Sequence, residues 1–224
     1  MEQLETMEYY ILQTQDILNS VYKNKEQTDK LAQVYVDGNY KNIKIIASGS
    51  SGNGSWCAKY IMEKYLDVDV TIISPYTFAY YPRLSEDDFV FVVSQSGYSK
   101  NALDALDVLK KLNRKTIALT GDLNSDIKDH AEVVIDYVDE EKEGYVTKGV
   151  TTLALFLIKL AFAILEKQGK EVDTKWLDDY CESYASIQKE NFIREEAFLE
   201  KFRKNLLSME NMYAAGCGPA EGVA

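Results

Sequence analysis

The sequence predicts an α/β fold, a parallel sheet flanked by helices on both faces. Short apolar stretches alternate with segments of helical periodicity between residues 43 and 135. One of them, residues 88–93, is nearly all apolar, as an interior parallel strand buried on both faces should be. Polar, glycine-bearing segments fall where strands hand over to helices. Parallel neighbours need right-handed crossovers, so helices lie on both faces, while the strand order stays open.

The elements follow in order. In residues 4–36, Leu4, Met7, Tyr10, Ile11, Ile17, Leu18 and Val21 recur at helical spacing, giving one helix or two. Asp37-Gly38-Asn39 is a turn signal. Residues 43–47 form a strand that enters Ser48-Gly49-Ser50-Ser51-Gly52-Asn53-Gly54, and the helical pattern resumes over 55–65. A strand at 68–73 precedes a loop with a short helix through Tyr76, Phe78 and Tyr81. The strand at 88–93 leaves through Ser94-Gln95-Ser96-Gly97-Tyr98-Ser99 into a helix at 102–112, with Leu103, Leu106, Leu109 and Leu112 on one side. A strand at 115–119, the polar exit Thr120-Gly121-Asp122, a short helix at 127–130 and a strand at 133–135 complete the alternation, followed by an acidic loop at 139–143. Residues 151–168 form a very apolar helix, 173–207 a long helix or two acting as a connector, and 212–215 a weak strand before Gly216-Cys217-Gly218-Pro219.

Composition bounds the rest. The chain has 224 residues, 46% hydrophobic and 27% charged, with a mean hydropathy of -0.28. That suffices for one globular domain and a remainder. Lys and Arg total 25 against 36 Asp and Glu, a net charge of -11, so a nucleic-acid partner is not expected beyond what one local pocket can bind. Three cysteines are too few and too scattered for a disulfide scaffold. The first residues lack a basic run followed by an apolar stretch, and the apolar run at 153–165 is interrupted by Lys159 and too short for a bilayer. A cytoplasmic protein without membrane partners is the expectation. No His-x-x-x-His or Cys-x-x-Cys appears, so no metal or cofactor is expected, and Cys57 falls in a helix where packing is its default role. The 16 tyrosines favour an interface.

Two segments carry chemistry. Residues 48–52 follow a parallel strand and precede a helix, where small residues expose backbone N–H groups and hydroxyls beside a helix N-terminus. This suits a phosphate dianion, and equally a plain turn capped by serine. Gly49, Gly52 and Gly54 do not give the dinucleotide spacing, and no Gly-Lys-Ser or Gly-Lys-Thr follows. Residues 94–99 occupy the same position after another strand and hold three serine hydroxyls and an amide, more than a turn needs. Open parallel sheets bind ligands at such exits, so the two together predict one polar pocket.

Those two segments, with Thr147-Lys148-Gly149 before an apolar helix, resemble the sugar isomerase (SIS) domain, the phosphosugar-binding module of the isomerase half of glucosamine-6-phosphate synthase and of related deglycases and isomerases. Ser94-Gln95-Ser96-Gly97 followed by Ser99 is the most distinctive match, and the likeness covers residues 40–168. It implies an α/β/α sandwich in which Ser50, Ser51, Ser94, Gln95, Ser96 and Ser99 hold the substrate phosphate, with Ser48, Gly49, Glu141 and Lys148 near the substrate. It also implies a homodimer. Val146 and Tyr98 depart from the synthase pattern, which points to a different relative. The likeness divides the chain into a helical segment (1–36), the SIS domain (40–168), a connector (173–208) and the opening of a second SIS domain (211–224). Its catalytic glutamate, histidine and lysine are then expected beyond Ala224, so the chain should bind a sugar phosphate weakly and turn it over poorly. His130 reads as a surface helix terminus. The expected function is phosphosugar binding in an aldose–ketose isomerase, aminotransferase or deglycase acting on fructose 6-phosphate, glucosamine 6-phosphate or fructosamine 6-phosphates. The rivals are a noncatalytic phosphosugar sensor and a nucleotide-binding oxidoreductase domain.

Overall fold

The computed structural model describes residues 6–137 and 146–224. Helices α1 (Met7–Lys23) and α2 (Glu26–Asp37) precede an alternation of β1 (Asn42–Ile46), α3 (Gly49–Leu66), β2 (Val70–Ile73), α4 (Pro75–Tyr80), β3 (Asp88–Val93), α5 (Lys100–Lys111), β4 (Ile117–Thr120), α6 (Ile127–His130) and β5 (Val133–Asp136). Then come α7 (Gly149–Lys167), α8 (Lys175–Leu207) and a 3-10 turn at Gly218–Gly222. The five strands pair in the order β2-β1-β3-β4-β5, all parallel. The expected α/β class, with helices on both faces, is what the chain adopts.

Strand periodicity divides the core in two. Phe89, Phe91 and Val93 of β3 point into the larger cluster with Leu31 and Tyr35 of α2, Met62 of α3 and Leu157, Leu160 and Ile164 of α7. Val90 and Val92 point the other way, against Phe78 of α4 and Ala105, Leu106 and Leu109 of α5. Ala102 and Ala105 join Leu106 and Leu109 on the buried stripe of α5, whereas Leu112, expected there, lies past the helix and is 44% exposed.

The apolar helix expected at 151–168 is α7, which is 19 residues long and apolar enough to cross a membrane by length and composition, although 72% of its apolar window is buried inside the protein. It is a core helix, packed on α2 and α3, with α1 laid over it through Ile17, Leu18 and Val21. The chain from 175 to 207 is one unbroken helix. Its first turns are tied down: Trp176 donates from Nε1 to the Tyr65 hydroxyl at 2.8 Å, and Leu177 and Cys181 are buried. Gln188 donates to the Ile11 carbonyl at 2.6 Å, after which Ile193, Phe198, Leu199 and Phe202 are exposed. The strand expected at 212–215 does not form, and these residues are exposed coil. The following turn instead packs on α3, where the Tyr60 hydroxyl donates to Glu221 at 2.7 Å and Gly222 is buried so close to Cys57 that a Cβ would stand 2.6 Å from its Sγ.

One buried carboxylate stitches the N-terminal edge of the sheet. Asp88 is 2% exposed. It pairs with Lys44 at 2.8 Å and accepts from the Ser85 N–H at 2.6 Å, and Arg114 donates to its carbonyl at 2.6 Å. Burial raises its pKa, but the Lys44 ammonium and the Ser85 N–H together outweigh that, and it lies below the ordinary carboxylate value. A folded pKa below the unfolded one contributes stability above about pH 4 that is lost as pH falls through the folded value. Asp88→Asn is therefore expected to cost about 2 kcal/mol at pH 7, with the gap to wild type shrinking as pH falls below about 4, and urea unfolding across that range is the measurement.

Candidate functional site

The strand order locates the site. The chain steps from β1 outward to β2, then returns to place β3 on the other side of β1, so the direction of winding reverses between β1 and β3. Crossovers leaving two such strands go to opposite faces and leave a crevice outside their C-terminal ends. The two serine-rich segments flank that crevice, residues 48–51 after β1 and residues 94–99 after β3.

The first segment is more helical than its glycines suggest. Helix α3 starts at Gly49, with φ of 55°, rather than at Ser55. Ser50, Ser51, Gly52, Asn53 and Gly54 thus form its opening turns. Glycine is poor for an isolated helix, but here it permits close packing. A Cβ at Gly54 would stand 2.9 Å from the Val150 carbonyl and 3.1 Å from Leu153, so α3 and α7 approach this closely only without a side chain there. Ser48 takes the N-cap position with extended backbone, yet its hydroxyl makes no capping bond. The plain serine-capped turn is not what forms, and the first N–H groups of α3 lack a side-chain cap. Ser48 and Gly49 are exposed, Ser50 is half-buried, and Ser51 is buried.

The second segment is shaped by its neighbour after β4. The Gln95 carbonyl accepts from the Thr120 hydroxyl at 3.1 Å and from the Gly121 N–H at 2.9 Å. The Gly97 carbonyl accepts from the Ile127 N–H at 3.1 Å, and the Gly97 N–H donates to the Ser94 carbonyl at 3.1 Å. Gly97 has φ of 69° and lies against fully buried Ser125, whose hydroxyl donates to the Asp122 carbonyl at 2.5 Å. Ser94 is buried, while Ser96 and Ser99 are exposed. Ser99 takes the N-cap position of α5, again with a hydroxyl that does no capping. Tyr98 reaches across so that its hydroxyl lies 3.5 Å from Asp122, and desolvation together with the charges of Asp122 and Asp126 raises its pKa.

The start of α7 is the third wall. Gly149 is buried against the Gln95 carboxamide, and a Cβ there would meet its Nε2 at 2.9 Å. Gln95 is thereby held between the second segment and α7, and Gly54 holds α3 to the next turn of α7. Lys148 reaches this place only with its backbone. Its side chain is 1% exposed and turns to α1, where the ammonium donates to Gln13 Oε1 at 3.1 Å and lies 4.9 Å over the Tyr10 ring. Glu141 and the rest of the acidic loop lie outside the described residues. His130 pairs through Nδ1 with Asp107 at 2.8 Å, between α6 and α5. Cys57 is half-buried, with its thiol pushed up by burial, Cys181 is buried and Cys217 is exposed. Sequence reading passed over Ser125 and the packing role of Gly54; neither residue type signals by itself that another segment will press against it.

A parallel sheet wound in both directions, with hydroxyls and helix N-termini at its reversal point, defines a doubly wound α/β module. The sequence profile of the SIS domain family matches residues 39–164, more than half the chain, and the chain belongs to that family. Glutamine–fructose-6-phosphate aminotransferase (isomerizing) of Caldanaerobacter subterraneus subsp. tengcongensis is 26% identical over 216 residues, covering 94% of this chain and 34% of that protein. The chain spans about a third of the length of such curated relatives. Among solved structures, the C-terminal domain of glucosamine-fructose-6-phosphate aminotransferase from Francisella tularensis superposes with a TM-score of 0.79 at 19% identity, covering 99% of this chain and 65% of that one. Glucosamine-6-phosphate deaminase from Thermotoga maritima gives a TM-score of 0.65 at 21% identity, over 80% of this chain and 53% of that one. At these identities the superpositions speak for the fold.

Proposed function

We propose that the crevice between β1 and β3 binds the phosphate of a phosphorylated sugar, as part of an aldose–ketose isomerase, aminotransferase or deglycase. One observation carries this reading: each segment flanking the crevice places a serine at a helix N-cap whose hydroxyl does no capping, Ser48 for α3 and Ser99 for α5. Two helix N-termini with unused N–H groups and adjacent hydroxyls match a dianion that accepts several hydrogen bonds. In this reading Ser50 and Ser51 donate from one side, Ser94, Gln95, Ser96 and Ser99 from the other, and the sugar extends outward from the phosphate. Fructose 6-phosphate, glucosamine 6-phosphate and fructosamine 6-phosphates present the same phosphate end. Moving a proton between C1 and C2 needs a positioned base, and His130 is engaged with Asp107 instead. In this reading the chain binds its ligand and turns it over poorly. Cytoplasmic location and homodimerisation belong to the same reading.

Calorimetry against glucosamine 6-phosphate, fructose 6-phosphate, fructose and inorganic phosphate is the test. The phosphorylated sugars are expected to bind and fructose is not, and Ser96→Ala should weaken binding about tenfold, the value of one hydrogen bond to a charged group. Failure of every sugar phosphate to bind, or binding indifferent to substitution at Ser50, Ser96 and Ser99, overturns the reading. Proton exchange at C2 in deuterium oxide separates an enzyme from a sensor with the same ligand.

A further inference from the structure

We infer that helix α1 is part of the sugar-phosphate site, with Tyr10 and Gln13 acting as positioning residues for Lys148; this rests on the phosphate-binding reading above. Lys148 is 1% exposed. None of the ion pairs among the described residues includes it. The partners that hold its ammonium there are neutral, the Gln13 carbonyl oxygen at 3.1 Å and the face of Tyr10 at 4.9 Å. A desolvated cation held by a neutral amide and a ring carries a charge that is only partly offset, and in a poorly screened interior that charge acts on a nearby anion.

The anion would lie next door along the chain. Lys148 is the residue on which α7 begins, and its carbonyl accepts from both the N–H and the hydroxyl of Thr152 at 2.9 Å. The next residue, Gly149, supports the Gln95 carboxamide. A continuous set of contacts therefore runs from Tyr10 and Gln13 through Lys148 and Gly149 to Gln95 at the crevice. At its other end α1 is fixed to the same helix α7, because Lys159 donates to the carbonyls of Val21, Tyr22 and Asn24. Gln188 of α8 donates to the Ile11 carbonyl at 2.6 Å. Tyr10 is itself buried, 5% exposed. A helix held at three places cannot shift at Tyr10 without pulling on Lys148, so the seat of Lys148 and the start of α7 move together. Coupling of this kind is reciprocal: α1 tightens the site, and a bound sugar phosphate tightens α1.

The test compares Tyr10→Phe, Tyr10→Leu, Gln13→Leu and Lys148→Met with wild type, using glucosamine 6-phosphate as the probe. Calorimetric affinity is read together with hydrogen exchange at residues 7–23, with and without the probe. Tyr10→Leu and Gln13→Leu are each expected to weaken binding about fivefold, and Lys148→Met about tenfold, within the usual range of coupling energies. Tyr10→Phe keeps the ring face over Lys148 and should bind more tightly than Tyr10→Leu. In wild type the probe should slow exchange along α1, and in Lys148→Met it should not. Should Lys148→Met fail to fold, Gln13→Leu, nearly equal in volume, answers the same question. Variants that melt at lower temperature yet bind as wild type does make α1 a purely structural helix and overturn the inference alone. A wild-type protein that binds no sugar phosphate overturns the phosphate reading, and this inference with it.

Discussion

Gly97→Ala is expected to cost about 3 kcal/mol of stability and to weaken sugar-phosphate binding roughly 100-fold. Two causes add. Gly97 has φ of 69°, a conformation costing an L-residue about 1 to 2 kcal/mol. The added Cβ would also overlap the Ser125 hydroxyl and stand 2.6 Å from Ser125 Cβ and 3.0 Å from Thr120 Oγ1. Neither neighbour can move cheaply. Ser125 is fully buried and bonded to the Asp122 carbonyl, and Thr120 is fully buried and bonded to the Gln95 carbonyl. The loop would have to lift instead, carrying Ser94, Gln95, Ser96 and Ser99 away from the crevice. The double variant Gly97→Ala, Ser125→Gly removes the overlap with Ser125 and leaves the φ cost, so it should recover part of the lost stability, about 1 kcal/mol. Urea unfolding and calorimetry of the three proteins measure this. Loss of binding with unchanged stability would instead mean that Gly97 touches the ligand directly.

Lys159→Met should lower stability by about 3 kcal/mol at pH 7. The ammonium donates to the carbonyls of Val21, Tyr22 and Asn24, where α1 ends and its last carbonyls have no helical partner. Methionine fills the space and satisfies none of them. The variant also isolates a pH effect. Burial, with the charge of Lys25 adding to it, lowers the Lys159 pKa from 10.5 to about 8. Below pH 8 the folded and unfolded chains both hold the proton and the cost of burying the charge is fully present. Between about 8 and 10.5 the folded chain releases the proton while the unfolded chain keeps it, so wild-type stability gains a rising component with pH across that window. Lys159→Met lacks that component. Chemical denaturation at pH 7, 8.5 and 9.5 reads the difference, and parallel curves for the two proteins would show that Lys159 does not titrate there.

Much of the fold was legible because periodicity is a local property. The alternation of Phe89, Phe91 and Val93 with Val90 and Val92 announces a strand buried on both faces, and each face is now seen packed against its own helices. Misreadings fell where a distant segment decides. Gly52 and Gly54 read as loop because glycine disfavours a free helix, but their small size lets α3 settle onto Ala47 and α7. Residues 212–215 have the apolar character of a strand and find no sheet edge to join. Lys148, which the family likeness puts near the substrate, turns its ammonium to α1, and no local rule says which way a long side chain turns.

By itself the sequence determined the class, the elements and the fact that two serine-rich segments each leave a strand and enter a helix. Each of those follows from residues within one turn or one strand of each other. The tertiary structure alone decided that both segments lie at the ends of neighbouring strands. With the order β2-β1-β3-β4-β5 they flank the point where the winding reverses, whereas with β1 and β3 apart the same residues would form two separate turns. Strand order is set by which apolar faces bury most completely against α2, α3 and α7 on one side and α4 and α5 on the other. That choice is made across the whole chain, and no window of the sequence contains it.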